Sequence, residues 1–205
     1  MAKLDTKSWG ELFSRSRLVT LNETQVRVLS PEDHFRILCR HLLRHGAWRA
    51  LWLCDIAVAL EAQADEFNWG SCLTDEPRVA TMLCCVIGLA RQLLRAKPRE
   101  LPEGVAAHSV PPWLLAAVIR QWDRSQNPNT KGVAVPTLLS KLKSPKRLCS
   151  DVYSRWDQPI LATVEFNGDF GPSPRLPYQL AYLLSRFREI PGQFVRRGRR
   201  RLMNG

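Results

Sequence analysis

Apolar residues recur at helical spacing over most of the chain and predict a mainly α-helical protein. Ser30-Pro31-Glu32-Asp33 marks one helix start, because serine caps a helix, proline fits its first turn and acids favour its positive end. This helix is expected to continue through His45. Gly46 separates it from a second helix over 47–64, so the two predict a helical hairpin.

Shorter elements are predicted on both sides of this hairpin. Residues 8–16 fit a short helix, and 18–29 alternate in polarity with a turn near Asn22, as a small β-hairpin does. A strong helix is expected from Asp75 to about Ala96, before an irregular proline-rich stretch. Further helices are expected over 113–122, 138–142, 148–161 and 178–188, with links at 67–74, 125–132 and 167–177.

These segments predict a helical hairpin or bundle with a small N-terminal β-hairpin and a basic C-terminal tail. The chain has 205 residues, of which 45% are hydrophobic, and this is enough to bury a core. The predicted regions are an N-terminal helix and hairpin (1–29), a helical core (30–96), a proline-rich connector (97–112), accessory helices (113–190) and the basic tail (191–205).

Composition narrows the expected cellular setting. The longest apolar run, 79–90, is closed by Arg78 and Arg91 and is shorter than the ~20 residues of a membrane span, so no transmembrane segment is expected. The first 17 residues lack the hydrophobic stretch of a signal peptide. The six cysteines lie mostly in apolar helical runs without a Cys-x-x-Cys spacing. Reduced core thiols and a cytoplasmic location are therefore predicted.

Most of the net charge of +11 lies near the C-terminus. Residues 175–205 hold eight arginines against Glu189, a net charge of +7. No helix-turn-helix, zinc or aromatic-platform signature accompanies this charge, so specific nucleic-acid recognition is not predicted. The candidate contacts for phosphates or for an acidic partner are Arg196, Arg197, Arg199, Arg200 and Arg201.

The most informative pattern is a series of polar and aromatic residues at helical spacing. On an unbroken helix these residues share one face, whereas a break at Gly46 makes two halves that face each other across a hairpin. One interpretation is a packed core. The other is a ligand or interdomain contact, because buried polar groups require partners. The series is His34, His41, His45, Trp48, Trp52 and Asp55.

The residues of this series predict neither a metal-binding site nor a nucleophilic catalytic site. His41 and His45 have the i, i+4 spacing of a zinc pair, but the glutamate of His-Glu-x-x-His is absent. Asp55 would add a third ligand only if the hairpin folds back. No pattern brings a nucleophile to a base, so neither a metal ligand nor a catalytic residue is assigned.

The run VRVLSPEDHFRILCRHLLRHGAWRALWLCDIAVAL, followed by Asn68-Trp69 and the helix over 78–96, resembles the C-terminal helical half of an uncharacterised bacterial nucleotidyltransferase family. The resemblance covers about 18–96. Family members often carry lysine before the second histidine, where this chain has Arg44, which keeps the charge but not the geometry. The matching positions are Ser30, Pro31, Glu32, Asp33, His41, His45, Gly46, Trp52 and Asp55.

The resemblance implies a nucleotidyltransferase that holds phosphates at a Gly-Ser turn and binds two metal ions with closely spaced carboxylates. No Asp-x-Asp or other acid-x-acid pair occurs in the sequence. Gly70-Ser71 followed by Asp75-Glu76 resembles the catalytic motif only superficially, because no strand is predicted before it and its acids are not suitably spaced. In the family the catalytic half precedes the matching segment. Magnesium and nucleoside triphosphate are therefore expected only with a complete catalytic domain, and no cofactor is assigned to this chain.

Two functional hypotheses follow. In the first, the chain is the helical region of a nucleotidyltransferase-family protein and does not catalyse alone; its partners are a nucleotide and a separate catalytic domain. Its nucleotide- or substrate-binding residues would be His41, His45, Trp48, Trp52 and Asp55, with Arg44 as a phosphate contact. The second is a non-catalytic helical adaptor that binds a protein partner or acidic surface through its basic C-terminus.

Overall fold

The fold is given by a computed structural model that describes residues 9–63, 67–73, 76–125 and 158–185. Within these ranges the protein is mainly helical, with a two-stranded antiparallel sheet near the N-terminus, as the sequence predicts. The elements are α1 (Trp9–Arg15), β1 (Arg17–Leu21), β2 (Thr24–Val28), α2 (Pro31–Arg44), α3 (Ala50–Glu61), α4 (Trp69–Leu73), α5 (Pro77–Leu94), α6 (Glu103–Ala106), α7 (Pro112–Ser125), α8 (Pro159–Glu165) and α9 (176–185).

The N-terminal hairpin turns where the sequence predicts it. Leu21 pairs with Thr24, so Asn22 and Glu23 form a two-residue turn, and both have positive φ angles, of 46° and 68°. Positive φ at both central positions matches the right-handed twist of the strands. Asparagine adopts positive φ more readily than most residues, so Asn22 suits the turn that the alternating polarity of the flanking residues predicts.

Helix α2 begins at its predicted cap. The backbone N–H of Asp33 donates to Ser30 Oγ at 3.2 Å, and Pro31 occupies the first turn. Asp33 is 1% exposed, and its carboxylate accepts two bonds from Arg15, from Nε at 2.9 Å and from Nη2 at 2.8 Å. This paired contact joins the end of α1 to the start of α2.

The core is built around α5, which packs against both α2 and α3. By length and composition α5 is the one helix in the described ranges that would reach across a membrane, but ten of its eighteen residues are buried among the other elements. This packing buries most of the apolar run 79–90 in the core of the described structure. Gly88 allows the connector to approach, since a Cβ there would lie 2.4 Å from Val110 Cγ2.

Several predicted boundaries were wrong. Helix α3 starts at Ala50 rather than at 47, α7 extends beyond 122 to Ser125, and the final helix starts at 176 rather than at 178. The predicted helix over 138–142 lies outside the described residues, and so does the part of the predicted helix 148–161 that precedes residue 158. Helix α8 begins at Pro159 and continues beyond 161, to Glu165.

Two short helices, α4 and α6, form where a link and an irregular connector were expected. In α4, the N–H of Ser71 donates to Asn68 Oδ1 at 2.9 Å, and the N–H of Asn68 donates to Glu32 Oε1 at 3.0 Å. The first bond is a local cap, whereas the second crosses to α2. Tertiary contact therefore supports a helix too short to be recognised by its periodicity.

Candidate functional site

The turn between α2 and α3 is tightly fixed. Gly46 and Ala47 have φ angles of 70° and 55°, and the N–H of Ala47 donates to the carbonyl of Leu42 at 2.8 Å. A Cβ at Gly46 would lie 3.1 Å from Leu161 Cγ, so α8 closes over the turn. Glycine at the first left-handed position is thus favoured both by the backbone and by packing.

Four rings meet across this turn. The His41 and His45 rings lie 4.5 Å apart on the last part of α2, and the Trp52 ring of α3 lies 4.6 Å from the first and 5.3 Å from the second. Trp48 joins them at 5.5 Å from Trp52. We call these four residues the ring cluster. Of the two arrangements left open by the sequence, the structure has the one that faces across a hairpin.

The ring cluster lies on the surface. His41 and His45 are exposed, Trp48 is 40% exposed, and Trp52 is partly buried where it packs against the core. The interpretation of this face as packed core is therefore wrong for three of the four rings. Exposed rings remain accessible to a ligand.

Arg49 belongs to the same surface and was missed by the sequence analysis. Its guanidinium carbon lies 4.4 Å from the centroid of Trp48 and 5.6 Å from that of Trp52. Arginine favours such positions over an indole face. Arg49 lies between Trp48 and Trp52 in the sequence, and this position could have indicated the contact. Helical spacing does not reveal it, because residues 48 and 49 are not helical.

The surroundings of His45 favour its neutral form. Partial burial of this largely exposed ring lowers its pKa from the ordinary value, and the neighbouring His41 and Arg44 lower the pKa further. A neutral imidazole offers one donor and one acceptor. Arg44 is half-buried beside this ring, so the surface combines a neutral histidine with a fixed positive charge.

Two residues of the predicted series do not join the rings. Asp55 is exposed on α3, three residues beyond Trp52, and the ring contacts above do not involve it. His34 is exposed at the start of α2, seven residues before His41 and so about 10 Å away along the helix axis. Helical spacing therefore grouped His34 with rings from which it is separated along the helix.

The residues present do not fit a magnesium centre. In the described part of the chain no group of three His, Cys, Asp or Glu side chains lies close enough to hold a metal ion. The ring cluster offers nitrogen ligands, whereas magnesium prefers oxygen. Gly70 and Ser71 lie inside α4 rather than on a turn after a strand. No step of a reaction is therefore assigned to a metal here.

The buried cysteines in the described ranges are poor candidates for a nucleophile. Cys39, Cys72, Cys84 and Cys85 are buried free thiols, and Cys54 is partly buried, while Cys149 lies outside the described residues. Burial raises the pKa of Cys39 and Cys84, and raises that of Cys85 to about 12. These thiols remain protonated near neutral pH and act as small apolar groups.

The sequence profile of an uncharacterised nucleotidyltransferase family matches residues 2–95. The match contains the ring cluster and ends just after α5. It starts closer to the N-terminus than the resemblance over 18–96, and it supports a nucleotidyltransferase-like function in coarse terms. Neither the curated proteins nor the solved structures include a significant match to the chain.

The arginines at 196–201 lie outside the described residues, so their contacts remain a prediction.

Proposed function

We propose that residues 2–95 form the helical part of a nucleotidyltransferase-like protein, in which the ring cluster binds a nucleotide or the substrate of nucleotidyl transfer. The observation that carries this proposal is the exposure of His41, His45 and Trp48 in one contiguous group. These exposed rings leave room for a ligand, and the group lies within the family match.

Each group has a chemical role in this proposal. The exposed indole of Trp48 stacks on a base, a contact that every base can make. Arg49 and Arg44 provide positive charge for phosphate oxygens, and His41 adds a ring N–H donor. His45, held neutral by its surroundings, donates to or accepts from a ligand without adding charge.

Catalysis is not assigned to this chain alone. Nucleotidyl transfer through two metal ions needs closely spaced carboxylates, and the sequence contains no acid-x-acid pair. Asp55 stands near the ring cluster on α3 as a single exposed carboxylate. The chain in this proposal supplies binding and orientation, and the carboxylates come from a separate catalytic domain.

Calorimetric titration with ATP and magnesium tests the binding role. Trp48→Ala and His45→Ala are each expected to weaken binding by roughly tenfold, the effect of one lost stacking or hydrogen-bonding contact. Trp9→Ala is the matched control for the first, because Trp9 is 87% exposed and outside the cluster. His34→Ala is the control for the second, because it removes an exposed histidine from the same helix.

The outcomes separate binding from folding. If the wild-type protein gives no heat with ATP, or if the control variants lose as much affinity as the cluster variants, the ligand role is wrong. Thermal melting of every variant checks that the fold is kept. Equal melting temperatures with unequal affinities support the proposal.

A further inference from the structure

A concave site separate from the ring cluster lies at the C-terminal end of α5. Its volume is about 470 Å³, within the range of roughly 300–1,000 Å³ that is typical of small-molecule sites. Its polar lining comes from both the end of α5 and the segment that follows it. These polar residues are Arg91, Gln92, Arg95, Lys97 and His108.

The lining of this pocket is basic. It contains three cationic side chains, a histidine and an amide, and the lining includes no carboxylate. Arg91 Nη1 donates to the carbonyl of Ala106 at 3.1 Å, which fixes one side of the guanidinium and leaves its remaining N–H groups for a ligand. His108 Nε2 lies 3.4 Å from Cys85 Sγ, so this ring is also held against α5.

The backbone at Arg95 adds an independent observation. Arg95 ends α5 in the left-handed conformation, with a φ of 59°. Glycine is the usual residue at this position because it has no Cβ. An arginine here is less favourable for folding than glycine would be, yet it adds a cation to the pocket. Strain of this kind in a non-glycine residue is often retained at sites of function.

We propose that this pocket binds the phosphate group of a small phosphorylated molecule. Guanidinium groups donate paired hydrogen bonds to phosphate oxygens, and the ammonium of Lys97 adds a point charge. The site is a partly open hollow whose lining includes Ala106 of α6 and His108, and its volume suits a small molecule.

The pocket is distinct from the ring cluster. Glu61 marks where the pocket meets α3, because its Oε1 accepts the backbone N–H of Lys97 at 2.7 Å. Trp52 of the ring cluster lies on the same helix, nine residues and about 13 Å before Glu61. The walls formed by Lys97, Ala106 and His108 lie beyond residue 95, where the family match ends. This inference therefore does not depend on the proposed function.

Titration of the full chain with pyrophosphate at constant ionic strength tests the proposal. Arg95→Gly and Lys97→Gln are each expected to weaken binding by roughly tenfold, since each removes one charge-assisted contact. Arg17→Gln is the matched control, because it removes one exposed charge from β1, remote in sequence from the pocket lining. Arg95→Gly should not lower the melting temperature, because glycine suits the left-handed position.

Two results would overturn the proposal. One is the absence of pyrophosphate binding to the wild-type chain at millimolar concentration, whether or not the chain binds phosphatidate vesicles. The other is an equal loss of affinity in Arg17→Gln. His45→Ala should leave pyrophosphate binding unchanged, so a failure of the ring cluster to bind ATP and a failure of this pocket are distinguishable.

Discussion

The indole Nε1 of Trp122 donates a hydrogen bond to the carbonyl oxygen of Ala47 at 2.9 Å. Ala47 is buried in the turn between α2 and α3, directly before Trp48, and Trp122 lies on α7. The bond therefore ties the backbone that carries the ring cluster to a helix outside residues 2–95. The position of Trp48 depends on a part of the chain that the family match does not include.

Trp122→Phe should destabilise the protein by about 1–2 kcal/mol, because it keeps an aromatic ring but removes a hydrogen bond to a buried carbonyl. Urea denaturation followed by circular dichroism measures the loss. Trp9→Phe is the control and should change the free energy of unfolding by less than about 0.5 kcal/mol, because Trp9 is exposed on α1. Equal stability of the Trp122 variant and the wild type would show that the bond contributes nothing.

Arg15→Met should cost about 2 kcal/mol, since it removes two charge-assisted hydrogen bonds from the carboxylate of Asp33. The Asp33 side chain is buried, whereas that of Arg15 is about one third exposed, which places the cost below that of a fully buried pair. Arg17→Met, an exposed position two residues later, serves as the control. A similar loss in both variants would indicate a general charge effect instead.

The sequence predicted elements best where local chemistry decides them. Ser30 fixed the start of α2, and Asn22 fixed the hairpin turn, because capping and left-handed turns depend on a few neighbouring residues. The start of α3 was misplaced because Ala47 adopts a left-handed conformation that alanine rarely takes. The Ala47 carbonyl also accepts a hydrogen bond from the distant Trp122, a contact that the local sequence does not reveal.

The ring cluster was only partly predictable. Helical spacing identified His41, His45 and Trp52 as neighbours, because residues that share a helical face recur at this period. It did not show whether that face is covered, since exposure depends on where the other helices pack. The basic pocket was not predicted at all, because its lining combines the end of α5 with the segment containing His108.

The stability of the protein should fall as the pH falls through about 6.5. The pKa of His45 is lowered in the folded state, so the unfolded chain takes up a proton at a higher pH than the folded protein does. The loss of stability begins near the unfolded value and is complete below the folded one. His45→Gln should flatten this part of the pH profile, as measured by urea midpoints. His34→Gln is the control, and an unchanged slope in His45→Gln would contradict the assignment.

Cys54 should be alkylated before the other described cysteines. It is partly exposed, whereas Cys39 and Cys85 are buried and their thiol pKa values are raised, so little thiolate forms at pH 8. Iodoacetamide labelling followed by peptide mass spectrometry measures the order of reaction. The Cys149→Ser background removes the cysteine outside the described residues. Rapid labelling of Cys85 in the native protein would show that its surroundings open readily.

Arg175→Lys should destabilise the protein by about 2–4 kcal/mol, because Arg175 is buried and its hydrogen bonds would be lost. The residue is only 5% exposed, and its guanidinium donates to three backbone carbonyls, those of Ser173 at 2.7 Å, Asp169 at 2.6 Å and Gly171 at 3.1 Å. It also lies 4.7 Å from the Trp113 ring centroid, so it joins the loop before α9 to α7.

Lysine keeps the charge at this position but lacks the planar group that reaches three acceptors and stacks on an indole. Urea denaturation gives the change in the free energy of unfolding, with Arg17→Lys as a control that should stay near the wild-type value. If both substitutions have equally small effects, the bonds of Arg175 add nothing beyond its charge. If only Arg175→Lys is destabilised, the bonds and stacking of this guanidinium stabilise the fold beyond its charge.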